Sequence, residues 1–354
     1  MYNYTMSHNN SKSNPLVEVK NLSIGYPEKK GEWKVVHPNV EFALYPGELT
    51  CLIGLNGTGK STLIRTLCNF QPFISGEILI AAKEISQYTP SEFALIVGVV
   101  LTEKGNLGGM SVYETVAMGR YPHTGFFGKL KEHDKEVIED AIKAVGIEHK
   151  THCDINELSD GERQRAMIAK ALAQQCDIII LDEPTAFLDV AGRMETMALL
   201  HKTAAETGKA ILLSTHDMEN AMMYADKFIL LSKELPIYCD TPENLILNGT
   251  MSKFFSQKGM TFDTITGNLS MGSSENPIGV EGDSLTARWF ANAMFRNGFS
   301  PVAPREGIIN IRCISPDNIE ICFPDGVKKT SAGITPAVEN ILKYVREGVQ
   351  DGKS

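Results

Sequence analysis

Between residue 15 and about residue 255, short runs of Ile, Leu and Val alternate with longer stretches of helical spacing, which predicts α/β architecture. Thr50–Ile53, Val97–Leu101 and Ile178–Leu181 read as short buried strands, and Leu213-Ser214-Thr215-His216 as a strand ending in histidine. Ser61–Cys68 reads as a helix. The pattern then changes twice. Residues 1–14 are rich in Asn and Ser and predict a disordered tail, while residues 256–277 have few large apolar residues and predict a linker. Residues 278–354 predict a small α+β domain. In it Leu285, Trp289, Phe290, Ala293 and Met294 fall at helical spacing, and Gly298 stops the helix. Ile309, Ile311 and Cys313, then Ile319, Ile321 and Phe323, alternate with other residues around the turn Ser315-Pro316-Asp317-Asn318, which predicts a hairpin. Pro336–Glu347 closes as an amphipathic helix.

Composition narrows the class. The 354 residues are 43% hydrophobic and 22% charged, which excludes a collagen, a disordered chain or a disulfide scaffold. At roughly 150 residues per domain, that length predicts about two domains. A formal net charge of −9 gives no global attraction for nucleic acid or an anionic membrane, so no nucleic-acid partner is expected. The seven cysteines form no CxxC pair and several lie in apolar runs; they read as reduced core residues of a cytosolic protein. There is no secretory signal pattern and no apolar run near 18 residues, so any work at a membrane is expected to be that of a peripheral subunit. His149, His152 and Cys153 read as solvated loop, and Arg163, Arg165 and Lys170 as a solvated helix face.

The sharpest chemistry follows the first buried strand. Gly54-Leu55-Asn56-Gly57-Thr58-Gly59-Lys60-Ser61 matches GxxxxGK[ST] between a strand and a helix, the context that makes the pattern meaningful. Glycines let backbone N–H groups wrap a phosphate, and the helix N-terminus adds positive potential. Gly54, Asn56, Gly57, Thr58, Gly59, Lys60, Ser61 and Thr62 are the expected ATP-binding residues, with Lys60 on the β- and γ-phosphates and Ser61 on Mg²⁺. Ile178–Leu181 ends in Asp182 and Glu183; the first suits the Mg²⁺ shell and the second the orientation of an attacking water.

Around these lie Leu158-Ser159-Asp160-Gly161-Glu162, Pro184-Thr185-Ala186-Phe187-Leu188-Asp189 and Leu213–Asp217. The ordered set resembles the nucleotide-binding subunits of ABC transporters over about residues 16–250. The resemblance implies a P-loop ATPase domain at 15–255, with a helical subdomain at about 103–160. Leu158–Glu162 is similar to the LSGGQ signature, which implies that Ser159 and Gly161 meet the γ-phosphate held by a second copy in a head-to-tail dimer. Glu183 resembles the catalytic base, Asp189 the D-loop aspartate, His216 the switch histidine and Tyr26 the aromatic that stacks on adenine. Two departures stand out. Asp160 and Glu162 replace a glycine and a glutamine, which places carboxylates near γ-phosphate unless they turn away. The glutamine that the family uses at Mg²⁺ is absent after Val97–Leu101, where either Thr102 or Glu103 takes its place.

One phosphate loop and one signature exclude a twin-cassette chain, and no long heptad insertion separates Lys60 from Ser159, which excludes a coiled-coil chromosome ATPase. A separate ATPase subunit implies an importer with transmembrane permease subunits and, indirectly, a substrate-binding protein, the ATPase lying on the cytoplasmic face of the inner membrane. Met110–His123 resembles the matching segment of importers for iron–siderophore, haem or cobalamin. Zinc or manganese import, or a soluble non-transport ABC role, are the alternatives. The motifs assign no role to residues 278–354.

Overall fold

The computed structural model describes residues 14–28, 32–101, 108–125, 128–257, 259–264, 267, 269–271, 276–282 and 284–351. Thr102 and Glu103 lie outside the described residues, as does nearly all of the 1–14 tail. The chain divides into two compact units, residues 1–258 with 262–268 and residues 259–261 with 269–354.

In the first unit β1 (Val17–Pro27) and β2 (Trp33–Leu44) pair antiparallel, β3 (Leu49–Ile53) runs into α1 (Lys60–Leu67), and β4 (Ser75–Ile80) with the two-residue β5 (Lys83–Glu84) returns to β1. Then come α2 (Pro90–Ile96) and β6 (Val97–Val100), α3 (Val112–Ala117), a 3-10 segment Met118–His123, α4 (Glu132–Ala144), α5 (Asp160–Ala173), β7 (Ile178–Leu181), α6 (Val190–Thr207), β8 (Ala210–Thr215), α7 (Met218–Tyr224), β9 (Lys227–Leu230), β10 (Tyr238–Asp240), α8 (Pro242–Leu247) and α9 (Thr250–Ser256). The central sheet has the order β10-β9-β3-β8-β7-β6, parallel from β9 to β6 with β10 antiparallel at the edge. Every residue of β3, β7 and β8 is buried, as parallel strands covered on both faces require. Leu52, Leu63, Ile64, Leu67, Ile180 and Leu212 belong to the core that seats α1 against this sheet.

This topology positions the site. In register, Ile53 lies opposite Thr215 and Leu181 opposite Leu213. Parallel strands end on the same edge, so the phosphate loop, Asp182-Glu183 and His216 leave three adjacent strands on one side of the sheet, where open α/β sheets bind ligands.

The segment Met110–His123 is a helix only in its first half. Pro122 sits in the 3-10 stretch that follows α3, and Arg120 there is 3% exposed. Its guanidinium donates to Asp134 Oδ1 at 2.9 Å, to the Ala173 carbonyl at 2.8 Å and to Gln175 Oε1 at 2.9 Å, tying the insert to the end of α5. The Lys131 N–H, donating to Asp134 Oδ2 at 2.8 Å, is the main cause that holds the Asp134 carboxyl below its ordinary pKa, with Arg120 adding to it.

The second unit contains β12 (Leu269–Met271), β13 (Pro277–Glu281), α10 (Leu285–Arg296), β14 (Ser300–Val302), β15 (Ile309–Ser315), β16 (Asn318–Cys322), β17 (Lys328–Ser331) and α11 (Ile334–Asp351), while β11 (Met260–Phe262) straddles the division. The stretch expected as a linker therefore holds two short strands, which pair with each other. The sheet order is β14-β13-β15-β16-β17, with β15 and β16 forming the expected hairpin. Ile278, Phe290, Met294, Ile311, Ile319, Ile321 and Ile341 fill its own core. The final helix starts earlier and ends later than Pro336–Glu347.

Candidate functional site

Gly57 and Gly59 have φ of +75° and +97°, left-handed backbone that side chains rarely adopt. At Gly59 a Cβ would also lie 2.5 Å from Val36 Cγ1. Gly54 is confined differently, since a Cβ there would meet Thr58 Oγ1 at 2.6 Å and the Leu231 carbonyl oxygen at 2.7 Å. Beneath the loop the buried His37 ring pairs through Nε2 with the Thr58 carbonyl, so that nitrogen carries a proton. Burial pulls the His37 pKa down, which favours the neutral ring.

Lys60 is 6% exposed and folds back on the loop, its Nζ donating to the Gly54 carbonyl at 2.7 Å and the Leu55 carbonyl at 3.4 Å. Burial lowers its pKa, against the opposing pull of Glu183 and then Asp182. The ammonium thus has carbonyl dipoles that a bound anion can replace. Tyr26 stands at the end of β1 with its hydroxyl paired to the Thr62 hydroxyl.

These groups share one cavity of about 600 Å³, which brings together Tyr26, Asn56, Gly57, Gly59, Lys60, Ser61, Thr62 and Glu183. Gly54 and Thr58 support it from within the loop. Sequence reasoning missed Lys34 and Lys233, which also line it. Lys34 lies opposite Tyr26 across β1 and β2, a neighbour that only the strand register reveals.

Asp182 and Glu183 are half-buried beside the loop. Glu183 Oε1 lies 2.7 Å from His216 Nε2, so the two most distinctive residues of the expected chemistry are in contact. Glu183 has φ +48°, and its N–H donates to Ser214 Oγ at 2.9 Å. The same hydroxyl donates to Asp182 Oδ1 at 2.5 Å. The Ser61 hydroxyl and the Asp182 carboxylate are oxygen donors of the kind a hard cation takes, and that chemistry fits Mg²⁺. Among the described residues no cluster of three or more His, Cys, Asp or Glu could hold a metal.

Ser159, Gly161 and Asp189 lie elsewhere. They line a separate cleft of about 360 Å³ in the same unit, with His149, Glu162 and Phe187. Glu162 turns back on the helix start. Its Oε2 accepts from Ser159 N–H at 3.0 Å and Ser159 Oγ at 2.9 Å, while its own N–H donates to Ser159 Oγ at 3.3 Å. This is a capping box, for which Ser-x-x-Glu ahead of a helix is the sequence signal. Lys150 Nζ sits 3.3 Å from the other carboxylate oxygen. The Ser159 N–H and hydroxyl bonds, then Lys150, hold the Glu162 carboxyl below its ordinary pKa. Asp189 caps α6 by accepting from the Gly192 N–H at 2.7 Å.

Residues 38–186 match the ABC transporter family. An uncharacterised ABC transporter ATP-binding protein of Methanocaldococcus jannaschii is 37% identical over 263 residues, 74% of this chain and 88% of its own length. The chain belongs to the ABC transporter ATP-binding family. Within it, the ferric enterobactin transport ATP-binding protein FepC of Escherichia coli is 32% identical, covering 68% of this chain and 88% of FepC. The iron(3+)-hydroxamate import ATP-binding protein FhuC of Bacillus subtilis is also 32% identical, covering 61% and 79% respectively. Among solved structures, a metal-chelate type ABC transporter in an inward-facing conformation aligns with TM-score 0.58 at 28% identity, over 69% of this chain and 90% of that one. A dimeric bacterial ABC transporter cassette aligns with TM-score 0.56 at 25% identity, over 64% and 98%. As an ABC ATP-binding chain it binds and hydrolyses ATP, with hydrolysis coupled to transport. Among the described residues no helix is long and apolar enough to cross a membrane.

Proposed function

We propose that this ABC ATPase powers an importer for an iron–siderophore, haem or cobalamin complex, docked from the cytoplasm on transmembrane permease subunits that receive cargo from a substrate-binding protein. The observation that carries the catalytic half is the 2.7 Å contact between Glu183 and His216 beside the phosphate loop. The cargo half is supported by the ferric enterobactin and iron-hydroxamate proteins, which share most of their length with this chain.

In this reading Lys60 and the N–H groups of Gly57, Thr58 and Gly59 bind the triphosphate, and Tyr26 stacks on adenine. Ser61 and Asp182 hold Mg²⁺, which supplies charge neutralisation on the β- and γ-phosphate oxygens when bound. Glu183 accepts the proton of the attacking water, and His216 exchanges its hydrogen bond to Glu183 for one to γ-phosphate. The second cleft explains the need for two copies, because neither cavity of one chain contains both the loop and the signature. Head to tail, Ser159 and Gly161 of one copy would meet the nucleotide on the other. A ligand touching both copies only when they are closed shifts the equilibrium to the closed dimer.

Glu183→Gln separates the steps. ATP binding persists, and steady-state hydrolysis falls by about 10² to 10⁴, the usual weight of a general base. Full hydrolysis by this variant excludes Glu183 as the base. The same variant, held with ATP in solubilised membranes and purified with its partners, is expected to bring down a polytopic permease. Recovery of only soluble partners at good yield overturns the transport reading.

A further inference from the structure

We propose that Ser214 is the positioning residue that sets the geometry of both carboxylates and, through Asp182, the metal-dependent part of nucleotide affinity. The proposal rests on the assignment of Asp182 to the metal and Glu183 to the water made above. Ser214 is fully buried in β8, two residues before His216, in a strand whose register places Leu213 opposite Leu181. That register brings its side chain to the end of β7.

The direction of its two bonds is fixed by chemistry. A backbone N–H can only donate, so at Glu183 the Ser214 oxygen accepts, at 2.9 Å. Its one proton is then committed to Asp182 Oδ1, at 2.5 Å. The hydroxyl therefore restrains the rotation of the Asp182 carboxylate while holding the backbone of Glu183 in its left-handed conformation. Two positions on, His216 holds the Glu183 side chain at 2.7 Å. The end of one strand thus grips the metal carboxylate, the backbone of the base and the carboxylate of the base. Losing the hydroxyl strips a bond from a charged acceptor and leaves a backbone donor unpaired.

The test measures binding apart from turnover. A fluorescent ATP analogue is titrated into the full-length parent, Ser214→Ala, Ser214→Thr and Ser214→Val, each in EDTA and in saturating Mg²⁺. Ser214→Ala is expected to match the parent in EDTA, while its Mg²⁺-dependent gain in affinity shrinks about tenfold, the scale of one hydrogen bond to a charged group. Its kcat falls by at least that factor, and the ATP KM in saturating Mg²⁺ rises with the lost affinity. Ser214→Thr restores both and Ser214→Val does not. The Thr and Val pair differ in the hydroxyl, so they carry the test if Ser214→Ala fails to fold. Equal behaviour of Thr and Val, or a parental Mg²⁺ response in Ser214→Ala, overturns the role of Ser214. A parent whose affinity does not respond to Mg²⁺ overturns the metal assignment of Asp182, and this proposal with it.

Discussion

The phosphate-loop cavity and the signature cleft are built on opposite plans. The phosphate loop is a cradle made of backbone, shaped by left-handed glycines and backed by the buried His37 and Lys60. Its Lys60 ammonium lines a cavity and holds placeholder partners, the Gly54 and Leu55 carbonyls. The signature cleft is made of side chains at an exposed helix start, and its polar groups already satisfy one another through Ser159, Glu162 and Lys150. The cradle is prepared to bind; the cleft must first open a closed circuit of hydrogen bonds. In the proposed head-to-tail dimer, a first ATP would bind one copy without the second, and engagement of the second copy would carry the extra cost of breaking that circuit.

The largest expected effect falls on the cradle. Lys60→Ala removes its buried cation, and ATP affinity measured by fluorescence titration should fall about a hundredfold or more, the worth of charge-assisted bonds to phosphate. Equal loss in Ser159→Ala would break the comparison, because that residue is expected to leave binding to the isolated copy unchanged. Next is Gly59→Ala, which forces a side chain into φ +97° against Val36. A strained residue costs about 1–3 kcal/mol; the free loop relaxes away from it and must return to bind phosphate, so affinity should drop by about 5- to 150-fold. Ser159→Ala removes the cap of α5 and should cost about 1 kcal/mol of stability, read as a lower melting temperature. The same variant should lose ATP-driven dimerisation, measured by size exclusion in the Glu183→Gln background.

The smallest effect is a pH dependence. The folded pKa of Glu162 is lowered, so its contribution to stability is present above the ordinary carboxyl value and is lost as pH falls through the depressed one. For a partly exposed group, about 0.3 kcal/mol is the expected scale. Glu162→Gln should flatten the acid limb of a melting-temperature profile below pH 4.5 by that amount; an unchanged limb would show that the carboxylate does not hold the cap.

What sequence made visible and what it hid divide along the same line. The cradle was legible because its backbone path demands glycines at fixed spacing, and because buried parallel strands write continuous apolar runs. The hairpin at Ile309–Cys322 was legible for a similar local reason. Ser214, Lys34 and the Arg120–Asp134 pair were hidden, since each acts through a neighbour many residues away that only strand register or helix packing supplies. Glu162 is different. Its capping box is written in the local sequence, Ser159 followed three residues on by Glu162 at the start of a helix. Met118–His123 is a 3-10 stretch in which Pro122 has no backbone N–H to give to an α-helical ladder.

Glu183 has a consequence for anyone who would engineer this chain. It is a side-chain-bearing residue at φ +48°, and a thermostability screen would favour glycine or asparagine there, since both accept that backbone more readily. Such a replacement would raise the melting point and remove the carboxylate that faces His216. At this position a library sorted for robustness and one sorted for turnover would be enriched in different amino acids, and heat selection alone would converge on an inert scaffold.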